Sequence, residues 1–232
     1  MPDWLNRTKK IFGDKKVDKL KHCHVAVFGA GGVGGFVIES LTRGGIGNLH
    51  IIDNDIIDIS NLNRQILATR NTVGRPKIEV AEERILSINP DAIVTASCSF
   101  VLPETVNEFD FSSYDYVVDA IDTVAGKLAV IEASYAAGVP VISSMGTGNK
   151  TDPSMLSITV IEKTDTDPLA RVMRHELKKR NIRNVKVAYS NETPVKAFYD
   201  DNNSRTTGST SFVPAACGIL IASAVLRDLI DA

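Results

Sequence analysis

The sequence predicts an α/β protein built on an open, mostly parallel sheet with helices on both faces and a smaller C-terminal α/β extension. Three observations carry that prediction. Between His24 and Asp53 the chain runs through an apolar stretch, a glycine cluster, a helical stretch, a second apolar stretch and an acid. Short apolar runs then alternate with segments of helical period as far as Ser144, a pattern that builds parallel sheets through crossover helices. With 232 residues and 44% hydrophobic content, the chain is long enough to bury a full core, and it carries no internal repeat.

Taken in order, residues 1–22 hold seven Lys/Arg against three Asp, a local excess of +4. Residues 14–21 read as a helix with Val17 and Leu20 on one side, a solvated basic flank to the domain. Val25 to Phe28 form a buried strand. Gly29, Gly31, Gly32, Gly34 and Gly35 follow, then a helix to Arg43 that Gly44, Gly45 and Gly47 end. A strand over 49–52 delivers Asp53. The connector over 54–73 is rich in Asn and Asp, unlike a plain crossover helix. Residues 74–87 read as an amphipathic helix, with Ile78, Ala81, Ile85 and Ile88 at helical spacing and Asn89-Pro90 as its stop. A strand is expected over 92–97, a polar helix or loop over 103–113, a strand over 116–120, a helix over 123–137 and a strand over 141–144. In the second part, strands over 155–161 and 185–189 flank a helix over 167–180. Residues 191–211 lack periodicity and read as a flexible spacer or a loop that orders over a ligand. An apolar helix over 212–230 closes the chain. The expected organisation is one domain over 1–232: an N-terminal helical segment (1–22), a nucleotide-binding core (23–150) and a substrate and dimer portion (151–232).

Composition excludes several classes. A net charge of −2 and a pI near 6.1 argue against a globally basic nucleic-acid binder, while local patches stay open. Cys23, Cys98 and Cys217 lie far apart with no CxxC pair, so neither a disulfide framework nor a zinc knuckle is expected, and a reducing cytoplasmic setting is. The N-terminus has no apolar signal core, and no run reaches the roughly 18 apolar residues of a membrane span. A soluble chain without a membrane partner is therefore expected.

The unit from His24 to Asp53 has the parts of a Rossmann-like dinucleotide fingerprint. Gly29 permits a tight turn, Gly31 lets backbone approach a phosphate, and Gly34 lets helix pack on strand. The helix N-terminus offers free N–H groups and partial positive charge. Asp53, 19 residues after Gly34, is placed to accept from ribose hydroxyls. A dehydrogenase would carry the same motif, so discrimination falls to Asp55, Asn61, Arg64, Gln65, Lys77 and Asp122. Splitting a nucleoside triphosphate calls for cations beside accumulating negative charge, and hydride transfer does not. Arg64 and Lys77 supply them. Asp122 lies just past a strand's C-terminal end, where open sheets keep ligands and where one carboxylate suits Mg²⁺. Singly, each has a bland alternative: a surface ion pair for Arg64, helix solvation for Lys77, an N-cap for Asp122.

At these residues the chain resembles a known superfamily. GAGGVGG, DNDIIDISNLNRQ, GRPKIEVA and VVDAIDT are similar to the adenylating domain of ubiquitin-activating-type enzymes. The resemblance implies ATP binding, with Asp53 on the ribose, Asn61, Arg64 and Lys77 around the phosphates, and Asp122 at Mg²⁺. It implies a homodimer in which an arginine near one N-terminus enters the neighbour's site; Arg7 matches that position, with action in cis or in trans left open. Catalysis is expected to rest on Arg7, Arg64, Lys77 and Asp122. Sulfur-carrier activators have two CxxC zinc pairs, which this chain lacks, and Cys217 in FVPAACGILIASAVL reads as a packed small side chain. VISSMGTGNKTDP, KTDTDPLARVMRHELKKRNI and GSTSFVPAACGILIASAVLRDL resemble a more specific family, the tRNA threonylcarbamoyladenosine dehydratases, over about Arg7 to Leu229. That resemblance implies adenylation of the threonine carboxylate of the modified adenosine in tRNA, followed by ring closure.

For tRNA contact, residues 171–186 hold seven Lys/Arg and one acid, with Arg171, Arg174 and Lys178 on one helix face, and Leu169, Val172, Met173 and Leu177 on an apolar side. A solvated face is the bland alternative. His22, His24 and His175 have no ligand partner at useful spacing. GTGNKTDP lacks a Gly before Lys150 and is no P-loop, though Lys150 could approach substrate or phosphates. Two further readings stay open: adenylation of the C-terminal glycine of a sulfur-carrier protein, and a non-catalytic nucleotide or NAD module. A sulfur-transfer protein is carried as a further partner.

Overall fold

The computed structural model of the protein describes residues 3–196 and 207–232. Residues 197–206, within the segment expected to be a spacer or ligand-ordered loop, therefore lie outside the described residues. Seven strands form one sheet: β1 (His24–Phe28), β2 (Asn48–Ile52), β3 (Ile93–Ser97), β4 (Tyr116–Asp119), β5 (Val141–Ser144), β6 (Leu156–Val160) and β7 (Lys186–Ser190). Their order is β3-β2-β1-β4-β5-β7-β6, with only the β6–β7 pairing antiparallel. This is the expected open, mostly parallel sheet. Strand order reverses between β1 and β4, where two crossovers leave the sheet in opposite directions and open a crevice at the strands' C-terminal ends. The C-terminal extension adds β7 beside β5 and β6 outside it on the same sheet.

Among the described residues the α-helices are α1 (Asn6–Phe12), α2 (Asp14–Leu20), α3 (Gly34–Gly44), α4 (Lys77–Ile88), α5 (Val124–Ala137), α6 (Pro168–Lys179) and α7 (Val213–Asp231). Local chemistry sets their ends. Gly45, at φ +95°, closes α3 and donates its N–H to Leu41 and Thr42. Gly138, at φ +68°, closes α5 in the same way. Asp167 caps α6, its carboxylate accepting from Ala170 N with Pro168 in the first turn. Helix α4 starts at Lys77 and not at the expected residue 74, because Pro76 holds extended backbone at ψ 134° just before it.

Val25, Val27, Leu49, Ile51 and Val118 fill one face of the sheet against α3 and α7, all at most 1% exposed. Ala26, Phe28, Ile52 and Val117 fill the other against α5 and the turns over 106–113. The continuous apolar runs in β1 and β4 follow from burial on both faces. Helix α7 corrects one expectation. Over its 19 residues it is long and apolar enough to cross a membrane, with mean hydropathy 1.8, despite the count of consecutive apolar residues. It packs instead as a core helix: Val213, Cys217, Ile221 and Val225 are 0% exposed, and Gly218 lies directly against the Val33 carbonyl.

Candidate functional site

A cavity of about 940 Å³ opens at the C-terminal ends of β1, β2, β4 and β5. Its floor begins at the glycine turn. Gly29 sits at φ +95°, and its N–H donates to Ile52 O at 2.7 Å. A Cβ on Gly34 would fall 1.7 Å from Gly29 O, so this glycine sets how closely α3 approaches the turn and does not itself line the cavity. Gly31 and Gly32 do line it, and a Cβ on Gly31 would meet nothing nearer than Gln65 Nε2 at 3.9 Å. The missing side chain there leaves bare backbone facing the cavity beside the N-terminus of α3, which suits an approaching phosphate.

Asp53 stands at the end of β2. Its Oδ2 accepts from Ala30 N at 2.7 Å and its Oδ1 from Asp55 N at 2.8 Å, so the carboxylate is tied into the turn. The connector then folds back. Asp58 caps a one-turn 3₁₀ helix (Ile59–Asn61), with its own N–H donating to Asn61 Oδ1 at 3.1 Å. Ile56 bridges Pro76, and Ile57 N donates to Arg75 O at 2.9 Å. These two contacts bring the start of α4 against the start of the connector. Lys77 consequently lies beside Asp53 with 4% exposure, its Nζ 2.6 Å from Asp55 Oδ2 and 3.9 Å from Asp53 Oδ1. Arg64 runs past Gly32 and donates through Nη1 to Ser60 O and Asn63 Oδ1 at 3.0 and 2.9 Å.

Asp122 lines the opposite wall and is exposed there. Two buried atoms on this cavity have no hydrogen-bond partner among the described residues: Gln65 Oε1 and Thr123 Oγ1. Leaving such atoms unpaired costs about 1–3 kcal/mol each, a cost that a polar ligand would remove. The far wall runs from Ser144 through Gly148. Among the described residues no group of three or more His, Cys, Asp or Glu is arranged to enclose a metal. One carboxylate sharing a cation with phosphate oxygens and water matches Mg²⁺, which keeps much of its hydration, better than it matches a fully protein-ligated metal.

Every residue expected around a nucleotide lines this one cavity except Gly34 and Arg7. Arg7 is exposed on α1, whose preceding Leu5 packs on Gly45 at the far end of α3 from the glycine turn. Arg7 does not line the cavity of its own chain. The basic face over 171–186 is less free than its composition implies. Arg174 donates to Thr164 O and Oγ1, Lys179 and Arg180 pair with Glu176, and Lys186 pairs with Asp228. Arg171, Lys178 and Arg183 are exposed, and so is Val172, expected on the apolar side. Lys150 corrects a further expectation: at 1% exposure its ammonium pairs with Asp167 and does not reach into the cavity.

Sequence reasoning missed a second buried group. Asp119 Oδ2 accepts from Ser143 Oγ at 2.5 Å and from Lys127 Nζ at 3.1 Å, while Oδ1 accepts from Ile121 N, fixing the turn that carries Asp122. An acid at a strand end and a lysine eight residues later inside an apolar helix were the available signal. Burial pushes the Cys217 thiol up to about 11, in keeping with a packed side chain.

The sequence matches the ThiF family over residues 5–232. It is 38% identical to the tRNA threonylcarbamoyladenosine dehydratase of Bacillus subtilis, over 97% of this chain and 94% of that protein. With the Escherichia coli dehydratase it shares 40% identity over 75% of this chain and 66% of that protein. The crystal structure of the Escherichia coli enzyme in complex with ATP superposes with a TM-score of 0.90 at 34% identity, over 98% of this chain and 93% of that one. Strand order, glycine turn, folded-back connector and relatives agree: the chain belongs to the ThiF family, in its tRNA threonylcarbamoyladenosine dehydratase branch.

Proposed function

We propose that the protein catalyses the ATP-dependent dehydration of threonylcarbamoyladenosine in tRNA. The threonine carboxylate attacks the α-phosphorus of ATP, pyrophosphate leaves, and a mixed anhydride with AMP forms. The ureido group of the same side chain then attacks the activated carbonyl, AMP is expelled, and a five-membered ring closes with net loss of water from the substrate. The observation that carries this reading is the convergence of Arg64, Lys77 and Asp122 on one cavity behind the glycine turn. A hydride-transfer site has no use for that set, whereas pyrophosphate release does.

The roles follow from chemistry and position. Gly29, Gly31 and Gly32 let backbone meet phosphate, and Asp53 receives the ribose hydroxyls. Lys77, oriented by Asp55, and Arg64 neutralise charge as it builds on the leaving pyrophosphate. Asn61 keeps its amide for the same end of the nucleotide, because its Oδ1 is already bonded to Asp58 N. Asp122 would hold Mg²⁺, which supplies further charge neutralisation when bound. Arg7 serves the site of a second copy of the chain, making the working unit a homodimer. Exposed Arg171, Lys178 and Arg183 give tRNA phosphates a landing surface, which makes binding salt-dependent. A soluble, cytoplasmic setting goes with a tRNA substrate.

The test is nucleoside mass spectrometry after incubating the protein, ATP and Mg²⁺ with modified tRNA. Loss of one water from the modified adenosine is expected. Unchanged nucleoside, together with ATP–pyrophosphate exchange stimulated by a sulfur-carrier protein, would overturn the reading.

A further inference from the structure

The proposed reaction leaves a fully buried cation behind the β5 wall of the cavity, Lys150, without a role. Lys150 and Asp167 are each 1% exposed, and a buried ion pair contributes little or nothing to stability compared with apolar residues of similar size. What the pair does locally is specific. Lys150 has three N–H donors, and it directs them to Asp167, to Gly146 O at 2.7 Å and to Ser190 O at 3.2 Å. The exit of β5, the end of β7 and the capping residue of α6 are thereby tied at one point. A Cβ on Gly146 would stand 3.0 Å from Asp167 Oδ2, so the loop is pressed directly onto the carboxylate. Further along, Asn149 adopts φ +56° and exchanges backbone bonds with Val195 and Gly208, while Thr151 N and Asp152 N both donate to the Glu192 carboxylate.

Between these anchors, Gly146, Thr147 and Gly148 line the cavity, and their three N–H groups have no acceptor among the described residues. Backbone N–H groups at a cavity wall must meet water or a ligand. They also stand apart from the nucleotide half of the crevice. The glycine turn and Asp53 belong to β1 and β2, whereas this wall leaves β5, with Asp122 after β4 between the two.

We propose that Lys150, locked by Asp167, is a positioning residue that holds the Gly146–Gly148 backbone as the seat for the substrate carboxylate, separate from the seat of the nucleotide. This inference rests on the proposed reaction. Donors fixed in advance on that side would stabilise charge on the carbonyl oxygen as the ureido group attacks.

The test uses the full chain and K150M/D167N, which deletes both charges together and retains an oxygen to cap α6. We expect kcat with modified tRNA to fall by about 100-fold, the scale of a small misplacement at a reacting centre. ATP affinity by calorimetry should be unchanged, and hydrogen exchange should rise over residues 145–152. Unchanged kcat, or an equal loss of ATP affinity, would overturn the proposal. Should the double variant fail to fold, Gly146→Ala displaces the loop through its contact with Asp167 and must give the same split between turnover and ATP binding; absence of that split is equally decisive against it. A wild-type protein that turns over no modified tRNA would refute the reaction itself, and the seat with it, a result distinguishable from either variant outcome.

Discussion

Gly31 and Gly34 belong to one glycine cluster, yet substitution by alanine should separate folding from ligand binding. At Gly34 the new Cβ would lie 1.7 Å from Gly29 O and 2.7 Å from Gly29 C, where ordinary contact begins near 3.4 Å. The obstacle is backbone, and that backbone is held by the bond from Gly29 N to Ile52 O and by φ +95°. Relief requires α3 to move away from β1 by more than an ångström, opening the packing of Val37 and Leu41, both 0% exposed. Overpacking of this kind costs about 1–3 kcal/mol, and the rigid neighbour puts Gly34→Ala at the upper end, ~3 kcal/mol. For a chain of this length that is a drop in Tm of about 6–12 °C. At Gly31 the nearest atom would be 3.9 Å away, so Gly31→Ala should stay within about 0.5 kcal/mol of the parent protein. Its methyl group would nevertheless occupy the bare backbone to which a phosphate must come. Thermal melts and ATP calorimetry on both variants check the argument. A Gly34→Ala protein that melts with the wild type would refute the packing account. A Gly31→Ala protein with intact ATP affinity would refute the phosphate assignment.

Asp122→Ala and Arg64→Ala should each abolish adenylation, read as ATP–pyrophosphate exchange, with Tm unchanged, because neither side chain is part of the core; full activity in either removes the site assignment. Mixing Arg7→Ala with Arg64→Ala protomers should restore some activity, since one intact composite site can form in a heterodimer, and no rescue would count against an arginine supplied by the second copy. His50 is held between Tyr114 Oη and Ser97 Oγ at 2.8 Å each, and burial, with His24 nearby, takes its pKa down to about 4 from 6.5. Since the unfolded chain then binds the proton more readily, the His50 contribution is complete above pH 6.5 and is lost as pH falls towards and through about 4. Melts of His50→Gln across that window should show a shallower acid loss than the wild type, and parallel curves would sink the assignment. Cys98 is exposed whereas Cys23 and Cys217 are buried, so native alkylation followed by peptide mass mapping should label Cys98 first, and Cys217→Ala should keep turning over tRNA.

Local pattern made much of the nucleotide half legible. An apolar run, a glycine cluster, helical period and an acid at the next strand's end depend on near neighbours, so β1, α3, β2 and Asp53 could be read directly. The connector was legible as irregular but not in shape, because the bridge from Ile56 to Pro76 and the cap at Asp58 become visible only once distant residues meet. Helix α1 escaped because its seven residues bury none of their own side chains, leaving no apolar period to detect. Lys127 went unnoticed and Lys150 was expected near substrate or phosphates because only the fold shows the carboxylate that lets each lysine be buried. The basic run over 171–186 shows the opposite limit, since its charge was countable while the partners of Arg174, Arg180 and Lys186, namely Thr164, Glu176 and Asp228, lay elsewhere on the molecule or were outnumbered in the window.

The distribution of thiols bears on how an activated carboxylate would be used. None of the three cysteines lines the cavity. Cys217 lies beneath it, 3.6 Å from Ser144 Oγ, with a pKa raised to about 11 that leaves almost no thiolate near neutrality. Transfer of an acyl group from this cavity to Cys217 would therefore require α7 to leave the core, breaking the packing of Ile221 and Val225 against the sheet. A substrate that brings its own nucleophile removes that requirement. Held in one side chain with the activated carbonyl, a ureido group has an effective concentration that reaches about 10⁵–10⁸ M in well-oriented intramolecular reactions. The protein's remaining task is to hold the two halves of the crevice at a fixed separation, the nucleotide on the β1 side and the carboxylate on the β5 side. That is the work to which the buried pairs are geometrically suited, Lys127–Asp119 beneath the Asp122 turn between the halves and Lys150–Asp167 beneath the carboxylate half.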